Sequence, residues 1–336
     1  MNRQTLMIEV NPADPDNEVI SRAAEVLRRG GLVAFPTETV YGLGADALNP
    51  EAVKKIFVAK GRPLDNPIIV HVAALEDLGV LTDDVLPESI PLMKQYWPGP
   101  LTLIFKKSDR VPATVTGGLD TVAVRMPRNN IALALIRALG HPIAAPSANL
   151  SGRPSTTTGR HVFQDLDGKI DLILDGGPVE VGLESTVLDI SRRPPVILRP
   201  GAITPEELEP LIGEVIIGTG EKTLRRSPGT SYRHYSPRAR VTLVEEANPE
   251  AMARLVEQCT RKGNKVGVVA RHAPSPQNNR VAVRLMPQEL KAYARQMFAI
   301  MRELDELGVD EIIIEKVEEK GMGIAIMDRL RRAASR

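Results

Sequence analysis

The chain predicts an α/β protein in two parts: a large N-terminal domain on a twisted mixed sheet, followed by a small domain on a parallel sheet. Three observations carry this. Short apolar strands recur from Leu32 to Leu198 with few tandem βα repeats between them, which argues for mixed pairing. Between Gly213 and Arg240 the pattern degrades into Gly, Ser, Pro and charge, a linker by composition. From Val241 onward strands and helices alternate cleanly, as a small Rossmann-like parallel domain requires.

Length and composition agree. The 336 residues, 43% of them hydrophobic, suffice for two cores. A formal net charge of +1 excludes a charge-driven nucleic-acid binder, and 3% aromatic residues leave few base-stacking platforms. The single cysteine, Cys259, excludes an internal disulfide framework and a multi-cysteine zinc site. Its neighbours Leu255 and Val256 make it a helix residue that fills a core. The N-terminal MNRQTLMIEV lacks the apolar region of a signal peptide, and no apolar run reaches membrane-spanning length, so a cytoplasmic location and no membrane partner are expected.

In order, Asn17 caps a helix from Glu18 to Arg29, which Gly30-Gly31 ends. The strand Leu32 to Phe35 meets Pro36 and sets Thr37, Glu38 and Thr39 beside Gly42 and Gly44. Polar residues thus stand at a strand end, where open α/β sheets collect ligands. Asn49 caps the next helix with Pro50 at its first position, and Val53, Ile56 and Phe57 form its apolar stripe. Past its end at Lys60-Gly61, the residues Lys60, Arg62, Asn66 and His71 offer a bed for a polyanion. A solvated helix end, where cations are favoured anyway, accounts for them equally well.

Ile68 to Val72 reads as a buried strand and Pro87 to Tyr96 as a helix leading into the strand Leu101 to Phe105. Thr121 to Arg125 is a strand, Ile131 to Leu139 a helix, and Ile143 to Ala145 a strand that runs into Pro146-Ser147-Ala148-Asn149. Ser151 to Thr158 continues this second polar cluster, whose hydroxyls and backbone amides suit a phosphate; an ordinary Ser/Thr/Gly loop is the plainer reading. Three more strands follow, at Leu172 to Leu174, Thr186 to Ile190 and Val196 to Leu198, the last ended by Arg199-Pro200-Gly201. Thr204-Pro205-Glu206-Glu207 is a capping box whose helix, to Ile212, closes the first domain.

The domains are therefore set at 1–212, 213–240 and 241–336. Tyr232, His234 and Tyr235 are odd in a spacer, so the middle segment is expected to fold back as a flap. In the last domain come the strand Val241 to Val244, a helix Pro249 to Arg261 capped by Asn248, and the strands Val266 to Val269 and Val281 to Val283. A helix Gln288 to Leu307, the strand Ile312 to Ile314 and a helix Ile324 to Ala333 complete it. No G-x-G-x-x-G follows its first strand, and Gly321-Met322-Gly323 is too short for a phosphate loop.

With these clusters in hand, the chain resembles the YrdC-like family of L-threonylcarbamoyladenylate synthases, in the longer form with a C-terminal accessory domain. The likeness rests on PTETVYGLG at Pro36 to Gly44, KGRP-x-x-NP at Lys60 to Pro67, the pair Lys60-x-Arg62 and Ser147-x-Asn149, and LEST at Leu183 to Thr186. SPGTSYRHYSP in the linker and GMGIAIMDRLRRAA near the end extend it over essentially the whole length.

The resemblance implies a nucleotidyltransferase that joins L-threonine, bicarbonate and ATP into threonylcarbamoyl-adenylate and pyrophosphate. This is the first step of N6-threonylcarbamoyladenosine formation on tRNA. Downstream proteins would pass the group to tRNA, and the near-neutral charge fits a protein that need not hold tRNA stably. It further implies that Thr39, His71, Arg125, Ala145 and Ser185 surround threonine, with Arg125 taking the carboxylate in a fork. Lys60, Arg62, Asn66, Thr121 and Ser147 would hold ATP together with Asn149, Ser155, Arg199 and, from the linker, Tyr235. Lys60 and Arg62 would be the catalytic cations. Magnesium is expected with the nucleotide, with no protein ligands assigned.

Two rivals remain at this level. A hydrogenase-maturation carbamoyltransferase shares the domain type but adds cysteine-rich zinc modules, which one cysteine excludes. A double-stranded RNA-binding or ribosome-assembly module would use a basic concavity without chemistry.

Overall fold

The computed structural model describes residues 4–220, 227, 235–245, 249–272 and 279–335. They fall into two compact units, one of residues 4–151, 155–220 and 227, the other of 152–154, 235–245, 249–272 and 279–335.

The first unit is built on one eleven-stranded sheet. Its strands are β1 (Leu6–Glu9), β2 (Val33–Phe35), β3 (Gly42–Asp46), β4 (Ile69–His71), β5 (Leu101–Lys106) and β6 (Thr121–Arg125). They continue as β7 (Ile143–Ala144), β8 (Leu172–Asp175), β9 (Thr186–Asp189), β10 (Val196–Arg199) and β11 (Ile216–Ile217). Across the sheet the order is β1-β8-β2-β3-β7-β4-β6-β5-β9-β10-β11. Pairing is mixed as the sequence predicts: β4–β6 and β5–β9 are parallel, whereas β3–β7, β4–β7 and β5–β6 are antiparallel.

The helices are α1 (Asn17–Arg28), α2 (Pro50–Lys60), α3 (Leu78–Leu81), α4 (Ser89–Tyr96), α5 (Ala113–Thr116), α6 (Asn130–Leu139), α7 (Gly159–Leu166) and α8 (Pro205–Ile212). On one side α1 and α6 bury Ala23, Leu27, Leu135 and Leu139 against Val33, Phe35 and Leu174. On the other, Val53, Ile56 and Phe57 of α2 join Leu43, Val70, Leu103 and Val124 in the main core. The apolar stripe expected on α2 is therefore its buried face.

Several local expectations shift. Asp16, not Asn17, caps α1, accepting from the backbone N–H groups of Glu18 and Val19. Gly42 and Gly44, assigned to no strand from sequence, lie in β3, where a Cβ on Gly44 would come within 2.8 Å of both Phe35 and Ile143. Glycine is there to let strands approach, not to turn the chain. Strand β1 and helix α7 were not anticipated, and β11 pairs with β10 inside the stretch expected to be linker. Lys222, Arg225, Arg226, Tyr232 and His234 of that stretch, and the Asn248 cap, lie outside the described residues.

In the second unit β12 (Arg240–Val244), β13 (Val266–Ala270), β14 (Val281–Leu285) and β15 (Glu311–Glu315) form an all-parallel sheet ordered β12-β15-β13-β14. Its helices are α9 (Pro249–Arg261), α10 (Leu290–Glu306) and α11 (Met322–Ala334). Met252, Val256 and Cys259 of α9 pack on Val266, Val268 and Ile313, so Cys259 does fill a core, and its thiol donates to the Glu311 carboxylate at 3.2 Å. Burial and that carboxylate push the thiol pKa up to about 11. Gly152 to Pro154 belong to this unit: Ser236 N–H donates to the Gly152 carbonyl at 2.8 Å, Arg153 pairs with Asp305 at 3.4 Å, and buried Arg302 donates to the Pro154 carbonyl.

Candidate active site

Strand register places the first pair of functional side chains. In parallel β4 and β6, His71 stands directly opposite Arg125, so both side chains leave the carboxyl end of the sheet on the same face. The turn after β2 completes this group. Thr37 folds it, its hydroxyl accepting from the backbone N–H groups of Thr39 and Val40, and Thr39 then accepts from Arg125 Nη1 at 2.9 Å. Arg125 Nε donates to the Gly99 carbonyl at 3.1 Å.

Glu38 is the partner that residue-type reasoning left without a role. Its Oε2 lies 2.6 Å from Arg125 Nη2, both side chains nearly inaccessible at 0% and 4% exposure, in a close ion pair rather than an aligned hydrogen bond. The same oxygen accepts from Arg128 N–H, while Oε1 has no hydrogen-bond partner. Arg125 is thus a fork whose prongs already rest on a carboxylate, a hydroxyl and a carbonyl. His71 is buried edge-on to Phe35, its Nδ1 without a hydrogen-bond partner. Burial, and secondarily the Arg125 charge, pull its pKa down to about 3, so the ring is neutral at physiological pH. Ala145 follows β7 at the level of Ile69, two positions before His71 along β4, its N–H donating to the Ile69 carbonyl.

The second group is a lock between two motifs. Lys60, at the last position of α2 and 3% exposed, donates to the backbone carbonyls of Ser147 (2.5 Å) and Asn149. Ser147 in turn donates to Asn149 Oδ1 at 2.5 Å. Arg62 donates to the Pro67 and Asn66 carbonyls, holding the Asn-Pro turn. A helix end thereby orders the polar loop after β7. That loop is tied to the β2–β3 turn through Ala148 N–H to the Tyr41 carbonyl and Tyr41 N–H to Thr156.

A third group lies at β9 and β10. Arg199 donates through Nε to the Ser185 carbonyl (3.1 Å) and through Nη2 to its hydroxyl (3.0 Å), and Thr102 shares a further bond with that hydroxyl. Gly201 permits this: a Cβ there would stand 2.2 Å from Thr186 N. The LEST stretch reaches the other groups through Glu184, buried at 5%, which accepts from the Ser155 hydroxyl. Gly182 N–H also donates to the Thr39 carbonyl.

Of the residues expected, the structure draws Thr39, His71, Arg125 and Ala145 into one group. Lys60, Arg62, Asn66, Ser147 and Asn149 form a second, joined to the first by backbone bonds, and Ser155, Ser185 and Arg199 are linked to it through Glu184. Two stand apart. Thr121 opens β6 at the end opposite Arg125, about 13 Å away at the rise of a strand. Tyr235 lies in the second unit, buried, stacked on Phe298 at 5.4 Å with the Arg329 guanidinium over its ring. A cavity of 510 Å³ beside α2, lined by Lys55, Lys60 and Lys169 among others, includes only Lys60 of these residues.

Among the described residues of the first unit, the buried lysines and arginines are Lys60, Arg62, Arg125 and Arg199, all four named from sequence. Cations are rarely buried without a purpose. Glu38 and Glu184 were missed as partners, although both sit inside the PTET and LEST motifs. Among the described residues no group of three His, Cys, Asp or Glu side chains could cage a metal, and no helix is long and apolar enough to cross a membrane.

Known proteins resemble the chain over nearly its whole length. A model of the Sua5/YciO/YrdC family, described as "Telomere recombination", covers residues 25–201, and one described as "Threonylcarbamoyl-AMP synthase, C-terminal domain" covers residues 203–335. A threonylcarbamoyl-AMP synthase of Pyrococcus abyssi is 49% identical over 93% of this chain and 93% of its own. One of Bacillus subtilis is 46% identical over 97% and 95%. The crystal structure of P. abyssi Sua5 complexed with L-threonine superposes with a TM-score of 0.93 at 48% identity, covering 98% of each chain.

Proposed function

This chain belongs to the Sua5/YciO/YrdC family in its long form, and we propose that it is a threonylcarbamoyl-AMP synthase, a nucleotidyltransferase that makes threonylcarbamoyl-adenylate from L-threonine, bicarbonate and ATP. The supporting observation is the set of four buried cations in the first unit. Such a concentration of positive charge suits a reaction that assembles a carboxylate, a carbamate and a triphosphate in one place.

The chemistry runs in two balanced steps. The amine of threonine condenses with bicarbonate, releasing water and forming an N-carboxy carbamate. A carbamate oxygen then attacks the α-phosphorus of ATP, and the bond to the bridging oxygen breaks to release pyrophosphate. No covalent enzyme intermediate is needed, so the protein contributes position and charge. Arg125, hydrogen-bonded to Thr39, takes the threonine carboxylate, Ser185 joins the threonine-binding set from the start of β9, and Glu38 holds the guanidinium when no substrate is there. Neutral His71 offers Nδ1 as a hydrogen-bond acceptor without adding a cation that would bind phosphate in the wrong place. Lys60, Arg62 and Arg199 face the nucleotide with Asn66, Ser147, Asn149 and Ser155, and Lys60 and Arg62 stabilise charge on the transferring phosphoryl group. Magnesium would travel on the triphosphate, and Glu184, which accepts from Ser155, is a buried carboxylate that could face it; a metal so carried needs few protein ligands. We assign this work to residues 1–212, with 241–336 as an accessory domain and the product passed to cytoplasmic tRNA-modifying partners.

Incubation with threonine, bicarbonate, magnesium and ATP should yield a nucleotide with the mass of threonylcarbamoyl-AMP, and pyrophosphate release should need threonine and bicarbonate together. Release at the same rate from ATP alone would overturn the proposal. Lys60→Ala and Arg62→Ala should each lower kcat about 100-fold or more, with Arg62→Lys only partly restoring it, since a point charge does not reproduce a guanidinium fork.

A further inference from the structure

The second unit carries a polar cluster that this reaction does not use. In its sheet the chain leaving β13 goes on to β14 at the edge, whereas the chain leaving β15 enters α11, which packs against β12 on the opposite side. The connections diverge between β13 and β15, and the crevice outside the carboxyl ends at such a divergence is where open α/β sheets take ligands.

Two charged residues flank that point. Arg271 directly follows β13 and Glu315 ends β15; the Arg271 backbone N–H donates to Glu315 Oε2 at 2.8 Å, and its Nη2 lies 4.0 Å from Oε1. Tyr293, in the first turn of α10, is 1% exposed, and its hydroxyl has no hydrogen-bond partner; nor does the buried Nε of Arg271. The Gln288 side-chain amide, two residues before α10, donates to the Arg271 carbonyl at 3.0 Å and so brings the start of that helix to Arg271, while burial raises the phenol pKa and keeps the hydroxyl a neutral donor. Two long helices also begin here. α10 (17 residues) and α11 (13 residues) both start without a side-chain capping bond. Their first turns are adjacent, since a Cβ on Gly323 would come within 3.4 Å of Leu290.

We infer that this divergence point is a binding site for a compact oxyanion, phosphate or carboxylate, held by Arg271 Nε, the Tyr293 hydroxyl and the opening turns of α10 and α11. Each component offers hydrogen-bond donors or positive potential, and two helix N-termini side by side favour an anion. Glu315 is the opposing charge. Its Oε2 is engaged by the Arg271 backbone, and its position fixes the guanidinium rather than filling the site. The inference is independent of the reaction proposed for the first unit.

Tyrosine 13Cζ NMR of the full chain tests it, because the five tyrosines give few signals and Tyr293→Phe identifies the relevant one. Inorganic phosphate or acetate, titrated at constant ionic strength against sodium chloride, should move the Tyr293 signal saturably. Arg271→Gln should weaken that binding about tenfold or more, as loss of a charge-assisted bond would, and Arg271→Lys should weaken it less. Movement with phosphate alone assigns a phosphate source, movement with acetate alone a carboxylate source, and either supports the site. No saturable movement with either anion, an equal response to chloride, or a response unchanged in Arg271→Gln would overturn it.

Discussion

Arg125 and Glu38 form a buried pair whose value depends on both members, because removing one leaves the other charged and unsolvated. Glu38→Ala should therefore cost about 3 to 5 kcal/mol in urea unfolding. On the proposed role of Arg125, L-threonine should then raise the melting temperature of Glu38→Ala by more than that of the wild type, since its carboxylate supplies the missing partner. An equal or smaller rise would remove Arg125 from the threonine site. His71 makes a pH prediction whose sign follows from its depressed pKa of about 3. The unfolded chain binds a proton on this ring below about pH 6.5, where the folded chain does not, so stability falls as pH drops from there toward 3 and is unaffected above. Between pH 7.5 and pH 5 the loss from His71 alone is about 2 kcal/mol. Denaturant unfolding at the two pH values should show His71→Gln losing that much less than the wild type; identical losses would mean that the ring is protonated in the fold.

At the level of elements, the site depends on places where two backbones come closer than a side chain would permit. A Cβ on Gly201 would meet Thr186 N at 2.2 Å, so Gly201→Ala must move either β9 or the turn after β10 and with it the Arg199–Ser185 contact. Gly79, in α3, has nothing within 4 Å of the same atom. Gly201→Ala should lower the melting temperature by several degrees, on the order of 2 kcal/mol or more, and reduce activity. Gly79→Ala should be neutral or stabilising by up to about 1 kcal/mol. Comparable effects from the two would show that the turn after β10 yields freely.

For the whole molecule, two cores imply two sources of stability. Ile313, on β15, is fully buried in the second, in the cluster that α9 closes. Ile313→Ala should cost that unit about 2 to 5 kcal/mol. In calorimetry it should lower one transition, while the transition that L-threonine raises keeps its midpoint. A single transition shifted as a block would mean that the units unfold as one.

How much of this was legible before folding varies with the kind of signal. The polar clusters after β2, α2 and β7 were visible as residue types at strand and helix ends; Lys60 and Arg62 stood out there as cations, Arg125 and Arg199 came in through the family resemblance, and the burial of all four appeared only in the fold. The alternation beyond Val241 likewise specified a parallel sheet, since periodicity is a property of the chain itself. Strand β3 was hidden by its glycines, whose reason for being small is the proximity of Phe35 and Ile143, more than eight residues away in one direction and about a hundred in the other. Glu38 and Glu184 were in plain sight within their motifs, yet a carboxylate reads as a solvated surface group until its partner, Arg125 or Ser155, is known. Tyr293 and Arg271 carried no local signal at all. The sequence by itself determined the fold class, most of the strands and where charge is concentrated, because these depend on near neighbours. Only tertiary structure decided which ends of which strands meet, and so which charges are paired and which donors remain open, because register and burial are relations between distant parts of the chain.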